Sequence, residues 1–209
     1  MAGINFAEIL AFMVVLIGSL SVHEAAHAWA ADRLGDPTAR ALGRLSLNPA
    51  VHVDPVGTIA FPLLAAMTNL PLIGWAKPVP VQLHYLRSPR RDFALIAAAG
   101  PASNLLLAAI GSGLVLALGG LEPIFEAGLA GETLVQFVVL NVLLAVFNMI
   151  PVPPLDGGTV LMGVLPARAA EALEQVRPYG FLVIYALMLS GLLSAVLRPV
   201  QRLILGGLL

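Results

Sequence analysis

Long apolar stretches constrain the fold of this chain more than any other feature of its sequence. Four of them, at about residues 4–31, 93–118, 134–150 and 180–197, fall in or above the range of about 17–25 residues that a membrane-spanning helix needs. Of the 209 residues, 59% are hydrophobic and 11% are charged, whereas a soluble domain is about 45–50% apolar and about 25% charged. The sequence therefore predicts an all-α polytopic membrane protein with about four spanning helices in a lipid bilayer.

A fifth apolar stretch, at residues 56–75, is interrupted by Pro62, Asn69 and Pro71. We predict that it does not cross the membrane but forms a re-entrant segment or a short β-containing region between the first and second spanning helices. Non-helical backbone is tolerated at membrane depth where protein or a cavity covers it. The following residues 77–81, Lys-Pro-Val-Pro-Val, are typical of a short edge strand because proline is confined to the edges of sheets.

The distribution of Lys and Arg predicts the orientation, because cytoplasmic loops are enriched in both. Seven of the eleven lie between residues 32 and 92, while the loop at 119–133 contains three Glu and no positive residue. We therefore expect a multi-pass protein of the cell membrane with residues 32–92 in the cytoplasm and the N-terminus outside. If residues 56–75 crossed the membrane, they would divide the positive residues between its two faces.

Charge and cysteine content exclude several classes of function. A net charge of −1 gives no electrostatic basis for binding nucleic acid. With no cysteine in the chain, disulfides, iron–sulfur clusters and thiolate metal sites are excluded. A metal ion would have to be held by His, Asp or Glu.

The most informative motif is His23-Glu24-Ala25-Ala26-His27, near the inner end of the first spanning helix. Residues four apart share one face of a helix, so both imidazoles can bind one metal ion, while Glu24 is placed to act on a water beside it. An inert, packed pair of histidines is the alternative, but ionisable residues within a membrane span usually mark a functional site.

Catalytic zinc takes three protein ligands and leaves a fourth position for water. Between residues 93 and 163 the acidic residues are three Glu of the outer loop and Asp156. If residues 56–75 do not cross, Asp156 reaches the same membrane face as His23. An ordinary Asp-Gly turn at a helix end is the competing interpretation of Asp156.

These residues together give the chain its resemblance to the site-2 proteases, a family of intramembrane zinc metalloproteases. The resemblance rests on the motif at 23–27 and on residues 148–157, which fit the family pattern N-x-x-P-x-P-x-L-D-G. Residues 74–80 and 100–104 are also similar to family segments. The resemblance is to a minimal member without a PDZ or CBS module.

The resemblance implies one Zn²⁺ per chain, held by His23, His27 and Asp156, with Glu24 as catalytic base and Asn148 near the scissile peptide. It implies hydrolysis of a peptide bond within or near a transmembrane helix of a membrane-protein substrate, with the active site toward the cytoplasm. Residues 1–209 are expected to form a single membrane-embedded peptidase domain, with a catalytic core at about 4–160 and a C-terminal helix at about 180–205.

Two other functions remain open from the sequence. A transporter or ion pathway also places His, Glu and Asp within a membrane, and a non-catalytic membrane scaffold would need no complete metal set. Among the remaining polar and aromatic residues, we expect Trp29 and Trp75 to anchor at the membrane interface. Asn104 and Asn141 are expected to bond across helices in a structural role.

Overall fold

The computed structural model describes residues 6–68 and 74–209. The α-helices are α1 (Phe6–Arg33), α2 (Thr38–Ala41), α3 (Phe61–Thr68), α4 (Pro89–Ala117), α5 (Leu121–Glu126), α6 (Leu129–Asn148), α7 (Asp156–Val164), α8 (Ala167–Glu174), α9 (Gly180–Leu189) and α10 (Leu192–Leu208). Short 3₁₀ turns occupy Pro49–Val51, Leu83–Tyr85 and Arg177–Tyr179, and a π-helical turn, Pro55–Ala60, leads into α3. The first two residues of the predicted span at 4–31 lie outside the described residues.

Helices α1, α4 and α6 are long and apolar enough to cross a membrane, and they form the centre of the fold. Helices α1 and α6 run parallel, because Glu8 and Glu132 near their starts line one cavity, and Ser19 bonds to Asn141 farther along both helices. Helix α4 runs antiparallel to both and packs closely against each. A Cβ on Gly111 of α4 would lie 2.8 Å from the Val138 side chain, so glycine is needed for this approach. The prediction of a multi-pass, all-α membrane protein is confirmed.

The region between the first two spans contains a short helix and an extended segment that returns to the start of that helix. Pro55–Thr68 is too short to span a membrane. The chain then comes back beside its starting point, since Trp75 N–H donates to the Gly57 carbonyl at 3.1 Å and Thr58 Oγ1 donates to the Trp75 carbonyl at 2.8 Å. Residues 69–73, which include Asn69 and Pro71, lie outside the described residues.

The β alternatives for this region are wrong. No β-strand occurs in residues 6–68 or 74–209, and the predicted edge strand at 77–81 is extended chain without a partner strand. Its backbone is instead anchored to the loop after α1. Lys77 N–H donates to the His52 carbonyl at 2.8 Å, and Gln82 N–H donates to Asp36 Oδ2 at 2.6 Å.

The fourth predicted span, residues 180–197, is broken rather than continuous. The segment Ala167–Leu189 meets Leu192–Leu208 at 80°, and the bend lies at Gly191, which has a φ of 75°. Helix α9 packs near the inner end of α6, where Ile184 contacts Ile150 and Leu155. Helix α10 then runs back along α4 and α6, with Leu205 and Leu208 against Val138. Residues 6–68 and 74–209 thus contain three helices that are long and apolar enough to span a membrane, or four if the bent pair is counted as one span.

Candidate metal centre

Two histidines of α1 face one point between the three central helices. His23 and His27 are one helical turn apart, and their Nε2 atoms lie 3.0 Å from each other. The other ring nitrogen of each histidine is engaged by α4. His27 Nδ1–H donates to the Ile96 carbonyl at 2.7 Å, and His23 Nδ1–H donates to Asn104 Oδ1 at 2.6 Å. In the neutral form of each ring, the lone pair of Nε2 is therefore directed toward the same point.

Asp156 completes the group from the first residue of α7. Its Oδ2 lies 3.2 Å from His23 Nε2 and 3.4 Å from His27 Nε2. The chain reaches this position by folding tightly back after α6. A Cβ on Gly157 would lie 2.6 Å from the Ile150 carbonyl oxygen, and one on Gly158 would lie 2.7 Å from the Val152 carbonyl carbon. Glycine is thus required at both positions, because the loop approaches the start of α7 closely.

The donor set fits a tetrahedral zinc ion. Zinc–ligand bonds of about 2.0–2.1 Å place neighbouring ligands of a tetrahedron about 3.3–3.4 Å apart, and the three atoms of His23, His27 and Asp156 are 3.0, 3.2 and 3.4 Å apart. Asp156 Oδ2 is buried and accepts no hydrogen bond from the described residues. Three acceptor atoms that face one another repel unless a proton or a metal cation lies between them.

Helix α4 closes the back of this group at Gly100. A Cβ at this position would lie 2.5 Å from His27 Cε1 and 2.6 Å from His23 Cε1. Both distances are far shorter than an ordinary van der Waals contact of about 3.5–4.0 Å. The absence of a side chain at Gly100 is therefore what lets α4 pack onto both imidazole rings.

Glu24 lies beside the group without belonging to it. Its side chain is buried, and its Oε2 accepts a hydrogen bond from Val79 N–H at 3.1 Å. Pro78 and Pro80 flank Val79 and have no N–H of their own. The carboxylate is thus held toward the cavity by a backbone donor of the extended return segment.

The group opens into a cavity of about 680 Å³. Its walls come from α1, α4, α6, α9 and the extended return segment. Asn148 lies on this wall, with its Nδ2 donating to the Leu144 carbonyl at 2.9 Å. The structure thus brings His23, His27 and Asp156 together, with Glu24 and Asn148 on the same cavity.

Trp75, which is predicted to anchor at the membrane interface, lines the cavity. Its ring packs edge-on against Phe61 of α3, with centroids 5.2 Å apart, and lies 6.2 Å from the ring of Phe181 in α9. Aromatic residues of three separate segments thus meet over the cavity. Because they are far apart in the sequence, no local motif predicts this contact.

The return segment that carries Val79 is fixed partly by a charged residue outside the spanning helices. Asp36 accepts hydrogen bonds from Thr38 N–H at 2.9 Å and from Gln82 N–H at 2.6 Å. Burial acts to raise the pKa of Asp36, but the hydrogen bonds from Thr38 and Gln82 outweigh it, so the pKa is lowered. Asp36 is therefore a negatively charged anchor for the end of this segment.

Comparison with known proteins gives a consistent set of relatives. Residues 113–191 match the family model described as peptidase family M50. The chain is 39% identical over 191 residues to "Putative zinc metalloprotease YwhC" of Bacillus subtilis (strain 168), covering 90% of this chain and 84% of that protein. It is 32% identical over 188 residues to "Putative zinc metalloprotease Rip2" of Mycolicibacterium smegmatis, covering 88% and 69%. No solved structure matches.

Proposed function

Because the chain belongs to peptidase family M50, we propose that it is an intramembrane zinc metalloprotease of the site-2 protease type. It hydrolyses a peptide bond within or near a transmembrane helix of a membrane-protein substrate. The observation that supports this most is the convergence of His23, His27 and Asp156 beside Glu24. The convergence lies among helices that are apolar and long enough to span a membrane.

The proposed roles follow from the chemistry of the side chains. His23, His27 and Asp156 hold one zinc ion per chain, which lowers the pKa of a water and polarises the scissile carbonyl when it is present. Glu24 takes the proton of the attacking water and passes it to the leaving nitrogen. Asn148 donates to the oxyanion that forms on the substrate, since its Nδ2 carries a second N–H besides the one bonded to Leu144.

The substrate must be extended at the cleavage site, because a helix engages its own carbonyls in hydrogen bonds. We infer that the return segment at 77–81 holds the extended chain by strand addition. It lines the cavity through Pro78, Val79 and Val81 and has no partner strand among the described residues. Replacing Pro78 and Pro80 with Ala tests this role, and full retention of cleavage in that variant would contradict it.

The central test of the function uses Glu24→Gln and Glu126→Gln, the latter as a matched control on the exposed helix α5. Each protein is reconstituted in liposomes with a single-span substrate, and its cleavage and zinc content are measured. We expect Glu24→Gln to keep zinc and lose cleavage, while Glu126→Gln retains both. Cleavage at the wild-type rate by Glu24→Gln would refute the role of Glu24. It would not affect the metal site.

The metal site is tested separately by zinc content. Mass spectrometry of detergent-purified protein is expected to give one zinc per chain in the wild type and none in His23→Ala or Asp156→Ala. Zinc that is lost in His23→Ala but kept in Asp156→Ala would show that the third ligand is another residue. A transporter with the same metal would keep its zinc in Glu24→Gln and show no cleavage in the wild type.

We further propose that residues 1–209 form one peptidase domain in the cell membrane, with a catalytic core at about 4–160, the active site toward the cytoplasm and the N-terminus outside. The C-terminal helix region at about 180–205 belongs to this unit because Phe181 and Ile184 line the cavity. Since the chain has no cysteine, single cysteines at Arg87 and Glu126 report sidedness. In intact cells, a membrane-impermeant maleimide should label Glu126→Cys alone, and the reverse result would invert the orientation.

A further inference from the structure

We propose that Asn104, Asn141 and Ser19 form a positioning network that fixes the tautomer and ring orientation of His23. The inference rests on the proposed function, in which the Nε2 atom of His23 is a zinc ligand. The network does not touch the substrate or the reacting atoms. It acts through His23, by keeping the proton on Nδ1 so that Nε2 is free to bind the metal.

The network joins all three central helices at one level. His23 Nδ1–H donates to Asn104 Oδ1 at 2.6 Å, and Asn104 Nδ2 donates to Asn141 Oδ1 at 2.9 Å. Asn141 Nδ2 donates in turn to Ser19 Oγ at 2.9 Å. Asn104 and Asn141 are 0% exposed and Ser19 is 1% exposed. Buried polar groups without a partner are costly, so each of these bonds has a strong reason to persist.

A backbone carbonyl determines the direction of the whole chain of hydrogen bonds. Asn141 Nδ2 also donates to the Phe137 carbonyl at 2.8 Å, and a carbonyl oxygen can only accept. The Nδ2 of Asn141 must therefore face Phe137, which leaves its Oδ1 facing Asn104. Asn104 must then present Nδ2 to Asn141 and Oδ1 to His23. An oxygen that only accepts requires a proton on His23 Nδ1.

Both histidines donate from Nδ1, but their acceptors are of different kinds. His27 Nδ1–H donates directly to a backbone carbonyl, that of Ile96. His23 lies one turn deeper in the bundle and donates to a side-chain amide instead. An amide can flip, whereas a backbone carbonyl cannot. Asn141 and Ser19 therefore hold the Asn104 amide in one orientation, as the helix backbone holds the Ile96 carbonyl.

The first test compares three variants by zinc affinity, measured by competition with a chelator on detergent-solubilised protein. Asn104→Leu removes the acceptor and is expected to weaken zinc binding by about 10–100-fold, as loss of the outer partner of a ligating histidine does. Asn104→Asp keeps an acceptor for Nδ1–H and should bind zinc at least as tightly as the wild type. Ser112→Ala removes another buried hydroxyl of α4, which donates to the Leu208 carbonyl, and should leave zinc affinity unchanged.

If Asn104 had a purely structural role, the variants would rank in a different order of zinc affinity. Asp is the more disruptive residue at a buried position, so loss of packing alone would weaken zinc binding most in Asn104→Asp. Zinc affinity of Asn104→Leu equal to that of the wild type would overturn the inference, as would equal losses in the Leu and Asp variants. Neither result would contradict the proposed function as long as the wild type binds zinc.

The second test does not need the metal. Protein labelled with ¹⁵N at its four histidines is examined by NMR after zinc is removed with a chelator, and His23 is assigned with His23→Ala. We expect His23 to carry its proton on Nδ1 in the wild type and to lose this preference in Asn104→Leu. A His23 that carries its proton on Nε2 in the wild type would overturn the inference. If the wild type binds no zinc, the proposed function fails while this measurement still decides on the network.

Discussion

Replacing Gly100 with Ala should disrupt the metal site. The new Cβ would lie 2.5 Å from His27 Cε1 and 2.6 Å from His23 Cε1. Because carbon atoms pack at about 3.5–4.0 Å, the rings or helix α4 must move by about 1 Å. Overpacking of this kind costs about 1–3 kcal/mol of unfolding free energy, and metal ligands tolerate only about 0.2 Å of displacement.

We therefore expect Gly100→Ala to lower zinc affinity by at least the roughly 10–100-fold that loss of a histidine's outer partner costs, and to lose cleavage with it. Zinc affinity is measured by chelator competition and stability by thermal unfolding in detergent. Gly113→Ala is the matched control, since it lies in the same helix and its Cβ meets nothing within 4 Å. It should stabilise α4 by up to about 1 kcal/mol through helix propensity.

One result would refute this reasoning directly. If Gly100→Ala binds zinc as tightly as Gly113→Ala and unfolds at the same temperature, then α4 does not press on the two imidazoles. The geometry at Gly100 would then have no bearing on the metal site. A loss of stability with unchanged zinc affinity would also contradict the prediction, because it would separate packing at α4 from the position of the histidine rings.

Three further predictions concern the parts around the site. Gly57→Ala would place a Cβ 2.5 Å from Trp75 Cγ, so the fluorescence of Trp75 should shift and cleavage should fall, whereas Gly18→Ala, with nothing within 4 Å, should change neither. Because its lowered pKa makes Asp36 stabilising only when ionised, the wild type should unfold at a higher temperature than Asp36→Asn at pH 7. This advantage should begin to decline below the ordinary pKa of 3.8 and be lost as the pH falls through the lowered pKa of the folded state, and a constant difference would contradict the role of Asp36. Removing zinc with a chelator should lower the unfolding free energy by about 2.7 kcal/mol relative to protein in zinc at 100 times its Kd, while His23→Ala should not respond.

Much of the fold follows from hydrophobicity and charge alone. The three central spans are long, continuous and free of internal charge at their centres, so few other structures are open to them. Residues 56–75 are predicted not to cross from the Lys and Arg around them, and in the structure Trp75 returns to Gly57. That Pro55–Thr68 is helical could not be predicted, because a short apolar stretch with prolines is compatible with a helix or with a β region.

The break in the fourth span could not be predicted from the sequence, for a different reason. Residues 180–197 read as one apolar run, and hydropathy carries no information about direction. The 80° bend depends on a left-handed glycine, Gly191, and on the contact of Ile184 with the loop before Asp156. Tertiary contacts of this kind leave no periodic signal in the sequence.

The candidate site was predictable where its residues lie in local motifs. His23, Glu24 and His27 are set by helical spacing, and the structure places Asp156 beside them, although their role as zinc ligands and base stays a prediction. Asn104 was expected only to hold helices together. Its contact with His23 depends on the depth at which α1 and α4 cross, which the sequence does not specify.

The hydrogen bond from Val79 to Glu24 makes two events mutually exclusive. Val79 N–H supports one strong bond at a time, and it donates to Glu24 Oε2 at 3.1 Å. A substrate strand whose carbonyl pairs with that N–H must displace the carboxylate. If Glu24 is the base that we propose, it would then be left to accept from the attacking water. Under the proposed function, an extended substrate would release the Glu24 carboxylate, and an empty cavity would leave it bound to Val79 N–H.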